Sequence, residues 1–290
     1  MVLATTTAQF TRSIPYIVGS ARIVREFEGI MVRLAERHDL SDGVGMDWNE
    51  ISLGQINAQG ITETTVLENP ATISEALLTI TPVMVGIQTI ITDKTMRRIT
   101  PKVAAQIGQL AQNAIQRIKD ERGLTLLDSA TTSLVGAGNP LSFSHITAAV
   151  ARIRSNTTEP AQGPIYAVLH GYQIKDILDE VVAGIGTYPI PKGMTEDVFR
   201  SGFHGSIMGA EVYEDGNITI DSADDAKGAV FAREGVILVD GFGPKTETDR
   251  LIRVGGGANE LIIYDEFAYG ERSAGNWLYE IYSDATAPTA

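Results

Sequence analysis

The side chains best suited to chemistry are four histidines, His38, His145, His170 and His204. No two stand three to five residues apart, so no helix or turn offers the paired imidazoles of a zinc site. His170 follows the apolar run IYAVL, where a general base would sit at the end of a buried strand. Its other reading is a loop or core histidine held by a hydrogen bond. His204 lies in a glycine-rich stretch and is the second candidate base. Carboxylates cluster at Glu211, Glu214 and Asp215, and again at Asp224 and Asp225. They could ligate calcium, but the D-x-[DN]-x-[DN]-G spacing is absent, and solvated turns account for them. The glycines at 255–257 separate two strand-like runs, whereas a dinucleotide loop needs a helix N-terminus after it. No phosphate loop and no G-x-S-x-G elbow occurs. Cysteine is absent, which excludes disulfides and thiolate metal centres and fits a reducing compartment. No catalytic residue, cofactor or metal is expected.

Charge carries more information. The net charge is −13, the wrong sign for a protein that grips DNA through its phosphates. Between Arg37 and Lys94 there is no lysine or arginine, while Asp39, Asp42, Asp47, Glu50, Glu63, Glu68, Glu75 and Asp93 all fall there. One contiguous segment is purely acidic and the rest of the chain is nearly balanced. Residues 76–91 are the greasiest stretch, but polar and helix-breaking residues interrupt it, so no membrane span is expected. The start MVLATTTAQF lacks the pattern of a signal peptide.

The elements that position these groups can be read from periodicity. Residues 100–123 form the clearest helix, with Val103, Ile107, Leu110, Ala111, Ala114, Ile115 and Ile118 on one stripe and Asp120 among the polar residues opposite. Thr100 and Pro101 signal its start and Gly123 its stop. Residues 1–19 read as a poorly ordered or extended arm. Residues 20–40 read as a helix with Ile23, Phe27, Ile30, Met31 and Leu34 inward. Its arginines, Arg22, Arg25, Arg33 and Arg37, either solvate an outer face or meet an acidic surface. Residues 43–92 alternate as strands, first at 48–53 and 62–67 with a turn near 57–60, then a more apolar return strand at 77–91. A long hairpin with a half-polar tip buries little by itself and needs a surface to lie on.

Further on, a helix from Ser144 with Ile146, Ala149, Val150 and Ile153 inward precedes a strand at 165–169 buried on both sides. A helix at 173–182 follows it, then a glycine- and proline-rich loop at 184–209. The last third is mostly strand, at 210–213, 229–232, 236–239, 247–254, 260–269 and 277–282, closed by a tail DATAPTA. The class is α+β.

Arm, acidic two-stranded loop, long helix, α/β layer and long strands occur in an order that resembles the major capsid protein of tailed bacteriophages, with the Hong Kong 97-like fold. GYQIKDILDE is similar to the helix after that family's central axial strand. FHGSIMGAEVYEDGNI resembles its glycine–apolar–tyrosine strand, GAVFAREGVILV the strand pair after it, and ELIIYDEFAYGE the peripheral tyrosine-glycine strand. The resemblance covers roughly residues 10–285, and the order of the runs carries it.

It implies an arm and helix at 1–42, an extended loop at 43–93, a peripheral domain with spine helix from 94–140 and 241–290, and an axial domain at 141–240. The implied function is a shell protein without catalysis, assembling with itself as pentamers and hexamers around double-stranded DNA in a virion built in the host cytoplasm. Contact with that DNA would be non-specific. Portal and separate scaffolding proteins are implied partners, and a decoration or cementing protein is a further one. No cleaved scaffolding segment fits before the arm. Some relatives cross-link through a loop lysine, but this chain has none before Lys94, so non-covalent shells are expected. Charge segregation places the acidic loop, with Glu63 and Glu68, across a neighbour near Arg97, Arg98 or Arg22, Arg25, Arg33 and Arg37. The rival readings are an encapsulin-type compartment around a cargo enzyme, and a soluble α+β enzyme using His170 or His204.

Overall fold

The computed structural model describes residues 29–40, 43, 45–58, 60–63, 71–98, 101–184, 205–254 and 256–288. The arm at 1–19, Arg22, Arg25, Glu68, His204 and most of the 184–209 loop lie outside the described residues.

The long helix, α3, spans Pro101–Asp128. At 1.5 Å per residue its 28 residues reach about 42 Å. Ala111 and Ile115 are buried against Ile263, and further along Leu124 and Leu127 join a second core cluster. Three expectations change here. Gly123 does not stop the helix; a Cβ there would stand 2.8 Å from Met31 Cβ, so the glycine permits a close crossing. Leu110 faces solvent. Asp120 is buried rather than on the polar face, because the chain's lead-in segment crosses the helix at that point.

Of the helix expected at 20–40, residues 20–28 lie outside the described residues; Met31–Leu34 is helical (α1), and Glu36–Asp39 is a strand, β1. β1 runs parallel to β10 (Val236–Leu251) with Glu36 opposite Ile237, so the backbone groups an open sheet edge offers override the local pattern. The hairpin exists, but its strands are β2 (Trp48–Leu53) and β3 (Glu75–Ile80). No strand begins at Thr62 and Glu63, and residues 64–67 are outside the described set. Thr81 and Pro82 break the return strand, and β4 (Val83–Thr92) follows in a different sheet. A single turn, α2 (Asp93–Met96), links β4 to α3.

The first sheet has the order β1-β10-β11-β4, with β11 at Ala258–Glu271. β10 unites the runs expected at 236–239 and 247–254. Register shifts between Asp240 and Lys245 absorb the GFGP stretch, whose proline cannot donate to the ladder. The second sheet contains β5 (Ser133–Val135), β6 (Ile165–Leu169), β7 (Ser206–Ile207), β8 (Ala210–Glu214), β9 (Asp225–Ala232) and β12 (Leu278–Asp284), in the order β5-β12-β9-β6-β8-β7.

β6 shows why both its faces are apolar. Ile165, Ala167 and Leu169 pack on α4 (Phe143–Arg154) and α5 (Gly171–Gly184), whereas Tyr166 and Val168 belong to the cluster under α1 and α3. Ile146, Ala149, Val150 and Ile153 are all fully buried on α4, as their spacing predicts. Strand pairing joins segments that are far apart in the chain. β12, from 241–290, and β5, from 94–140, pair into the sheet of 141–240; β4 and β1 pair with β11 and β10. Hydrogen bonding to a neighbour, not position along the chain, decides which sheet a strand joins. The tail also begins ordered: Ala285 is buried and its amide donates to the Asp224 carbonyl.

Candidate assembly surfaces

Each described histidine is used locally. His38 Nε2 is 3.0 Å from Glu36 Oε1. His145 Nδ1 accepts from the Ser142 amide and completes the cap of α4. His170 Nδ1 accepts from the Tyr172 amide, and burial holds its imidazole below the ordinary range although Glu214 opposes this. No group of three or more carboxylate or histidine side chains is placed to hold a metal ion among the described residues. The carboxylate clusters are not simply solvated turns. Asp215 and Asp225 are buried, and Asp225 Oδ1 accepts the Gly138 amide at 2.7 Å.

The acidic segment finds cations inside the subunit that its own sequence lacks. Arg272, just beyond β11, donates to Glu36 Oε2 at 2.7 Å and approaches Glu50 Oε2 at 2.8 Å. It also donates to the Glu234 carbonyl at 2.8 Å. One guanidinium thus fixes β1, the base of the hairpin and the turn before β10. Arg250 grips Asp93 through both terminal nitrogens, at 2.8 and 2.5 Å. Neither arginine stands near its partner in sequence, so charge counting along the chain could not find them.

Arg37 is engaged within the subunit as well. Its Nε lies 2.6 Å from Asp240 Oδ2, while Lys119 Nζ lies 2.6 Å from Asp240 Oδ1 and 3.2 Å from Asp265 Oδ2. This cluster ties β1, α3, β10 and β11. Lys119, Asp240 and Asp265 are buried, and Lys119 Nζ sits 4.9 Å from the centre of the Phe267 ring. Arg33 lies over the Tyr213 ring at 5.8 Å. Arg97, Arg98 and Glu63 are exposed. The structure therefore brings Arg37 to an internal partner and leaves Arg97 and Arg98 at the surface where β4 meets α3.

The hairpin has two different faces. Trp48, Leu78 and Ile80 rest on Ile237 and Val239. Ile51 and Leu77 are cross-strand partners on the opposite face, 63% and 64% exposed, beside Leu53 at 69%. Of the 13 large apolar side chains exposed among the described residues, nine fall between Met46 and Met84. Isolated exposed leucines need no explanation, but this concentration on the hairpin and the start of β4 does.

The whole-chain architecture matches solved structures with probability 1.00. The cyanophage Pam1 capsid asymmetric unit superposes with a TM-score of 0.73 at 11% identity, over 96% of this chain and 98% of that one. This chain has the tailed-phage major capsid fold. A Mycobacterium phage Che8 structure matches at a TM-score of 0.69, 12% identity and coverage of 92% and 96%. The head structure of Helicobacter pylori bacteriophage KHP40 does so at 0.67 and 12%, over 98% of both chains. No family model matches the sequence, and no curated protein matches it. At these identities the capsid fold is retained by its hydrophobic pattern and topology while individual side chains differ.

Proposed function

We propose that this chain is a major capsid protein whose copies tile as pentamers and hexamers into an icosahedral shell around double-stranded DNA. The observation that carries this reading is the β2–β3 hairpin: clamped at its base by Arg272, it projects a row of apolar side chains that its own subunit does not cover. A surface of that kind is satisfied by a neighbour. The capsid fold over nearly the whole chain supports the same reading.

Within it, residues 43–93 act as the extended loop, α3 with the β10–β11 sheet as the peripheral part and the α4–β6–α5 region as the axial part. Exposed Arg97 and Arg98, with Glu63 of the loop, are the proposed contacts between subunits; Arg33 and the outlying Arg22, Arg25 and Glu68 are further members. Non-covalent contacts hold the shell, because the loop offers no lysine nucleophile. A separate scaffolding protein and a portal complete assembly in the host cytoplasm, with or without a cementing protein, and the product is the virion.

Electron microscopy of the purified chain, alone and co-expressed with candidate scaffolding proteins, tests the proposal. Closed shells are expected. Small, shape-irregular oligomers under both conditions would overturn it, and closed shells filled with a cargo enzyme instead of DNA would replace it with a compartment reading. On a denaturing gel, particles should run at the monomer mass without a ladder.

A further inference from the structure

Two buried carboxyl groups meet where the chain enters the fold. Asp120, in the middle of α3, is 1% exposed, and Asp215, in the turn after β8, is 0% exposed. Asp120 Oδ1 accepts the Met31 amide at 3.0 Å and its Oδ2 accepts the Asn217 side-chain amide at 2.8 Å. Asp215 Oδ1 accepts the Asn217 backbone amide at 2.9 Å, and the Ile30 amide faces the same carboxyl. The pair therefore clasps residues 30–31, α3 and the β8 turn together. Clearance is minimal: a Cβ on Gly29 would stand 2.4 Å from Asp120 Cγ.

Asn217 bridges the two carboxyls, and two ionised carboxylates so close inside a protein repel strongly, so one of the pair keeps its proton. Asp215 Oδ2 shows where that proton belongs, because it is buried with no donor directed at it. Among the described residues the surrounding groups supply no compensating charge. From β11, Tyr269 faces Asp120, and its own hydroxyl is buried without a hydrogen-bond partner. Lys119, next on α3, is committed to Asp240 and Asp265. Arg37 of β1 is committed to Asp240, and Arg33 of α1 to the Tyr213 ring. Among the described residues no lysine or arginine pairs with Asp120 or Asp215.

We propose that Asp120 and Asp215 form a proton-locked clasp: one proton holds the lead-in segment at residues 29–34 against α3, and loss of that proton releases the segment. Burial, followed by the charge and hydrogen bond of Asp120, pushes the Asp215 carboxyl up to about 7, although the Asn217 and Ile30 amides oppose the rise. The sign follows. A carboxyl whose folded pKa lies above its unfolded value contributes stability that is complete below about 4 and lost as pH rises towards about 7. The clasp is closed in acid and open above neutrality. This is opposite to the ordinary carboxylate ion pairs of the same subunit. The inference concerns the subunit itself and does not depend on shell assembly.

Hydrogen–deuterium exchange of the full chain at about pH 5.5 and about pH 8, corrected for intrinsic exchange, tests it. Protection of the Ile30–Leu34 amides should fall on the order of tenfold or more at the higher pH, while α5 amides around Ile177 stay constant. Asp215→Asn places an amide donor where the proton sits, so its protection should be the same at both pH values. Equal wild-type protection at both, or an equal fall in Asp215→Asn, would overturn the proposal. Should the variant not fold, the wild-type comparison alone decides.

Discussion

Arg272 Nη2 lies 2.8 Å from Glu50 Oε2 and joins the first strand of the hairpin to the end of β11, 222 residues away. The same guanidinium holds Glu36, so replacing Arg272 with alanine leaves two partly buried carboxylates without their cation. The expected cost is about 1–2 kcal/mol, since both partners keep some access to solvent. Exchange at residues 48–53 should rise more than exchange in α5. Uniform exchange across the hairpin and the core would show that Arg272 does not hold the hairpin in place.

Ile51→Asp combined with Leu77→Asp alters only the uncovered face. Subunit stability should change by less than about 1 kcal/mol, because neither side chain is buried in the subunit. Particle yield should fall to background. Chemical unfolding and electron microscopy on the same preparation separate the two effects.

Reversing Arg97 and Arg98 to glutamate should impair assembly while leaving the subunit soluble, since both are exposed. Wild-type particle yield from the double variant would sink the assignment of these arginines to a contact.

Lys119→Met removes the cation between two buried carboxylates. A loss of about 3–5 kcal/mol is expected, which is the penalty of uncompensated buried charge and not the worth of the ion pair. Thermal unfolding of Lys119→Met against Lys119→Met/Asp265→Asn should recover part of the loss.

At low pH the balance is set elsewhere. Burial raises the Glu36 carboxyl, but the hydrogen bond and charge of Arg272, with His38, outweigh it and leave the group below its ordinary value. Its contribution is present above its unfolded pKa of about 4.5 and disappears as pH falls through the lower folded value. Glu36→Gln should therefore flatten the acid side of the stability profile and lower stability at neutral pH, where the contribution is fully present.

Much of this architecture is legible locally. The α4 stripe and the doubly apolar β6 follow from spacing alone, because each side chain's fate is decided by its own element. β1 was not legible: Glu-Arg-His-Asp carries no strand pattern, and only the open edge of β10 makes it one. Gly123 reads as a helix stop until Met31 is seen crossing at that point. The candidate contacts divide in the same way. Arg97 and Arg98 stay at the surface, whereas Arg37 is claimed by Asp240, 203 residues away. The Asp120–Asp215 clasp carries no sequence signal, since neither aspartate's neighbours mark it as buried.

The long strand β10 is buried over Val236–Asp240 and exposed along most of its outer half, with register shifts in between. Paired with β11, it is a lever with a compliant joint. A push on the tip near Ile252 passes along the ladder, and the bulged stretch before Lys245 can absorb part of it by twisting before it reaches Asp240 and Lys119. A chain built this way can take up a small displacement of its outer ribbon while its core stays in register.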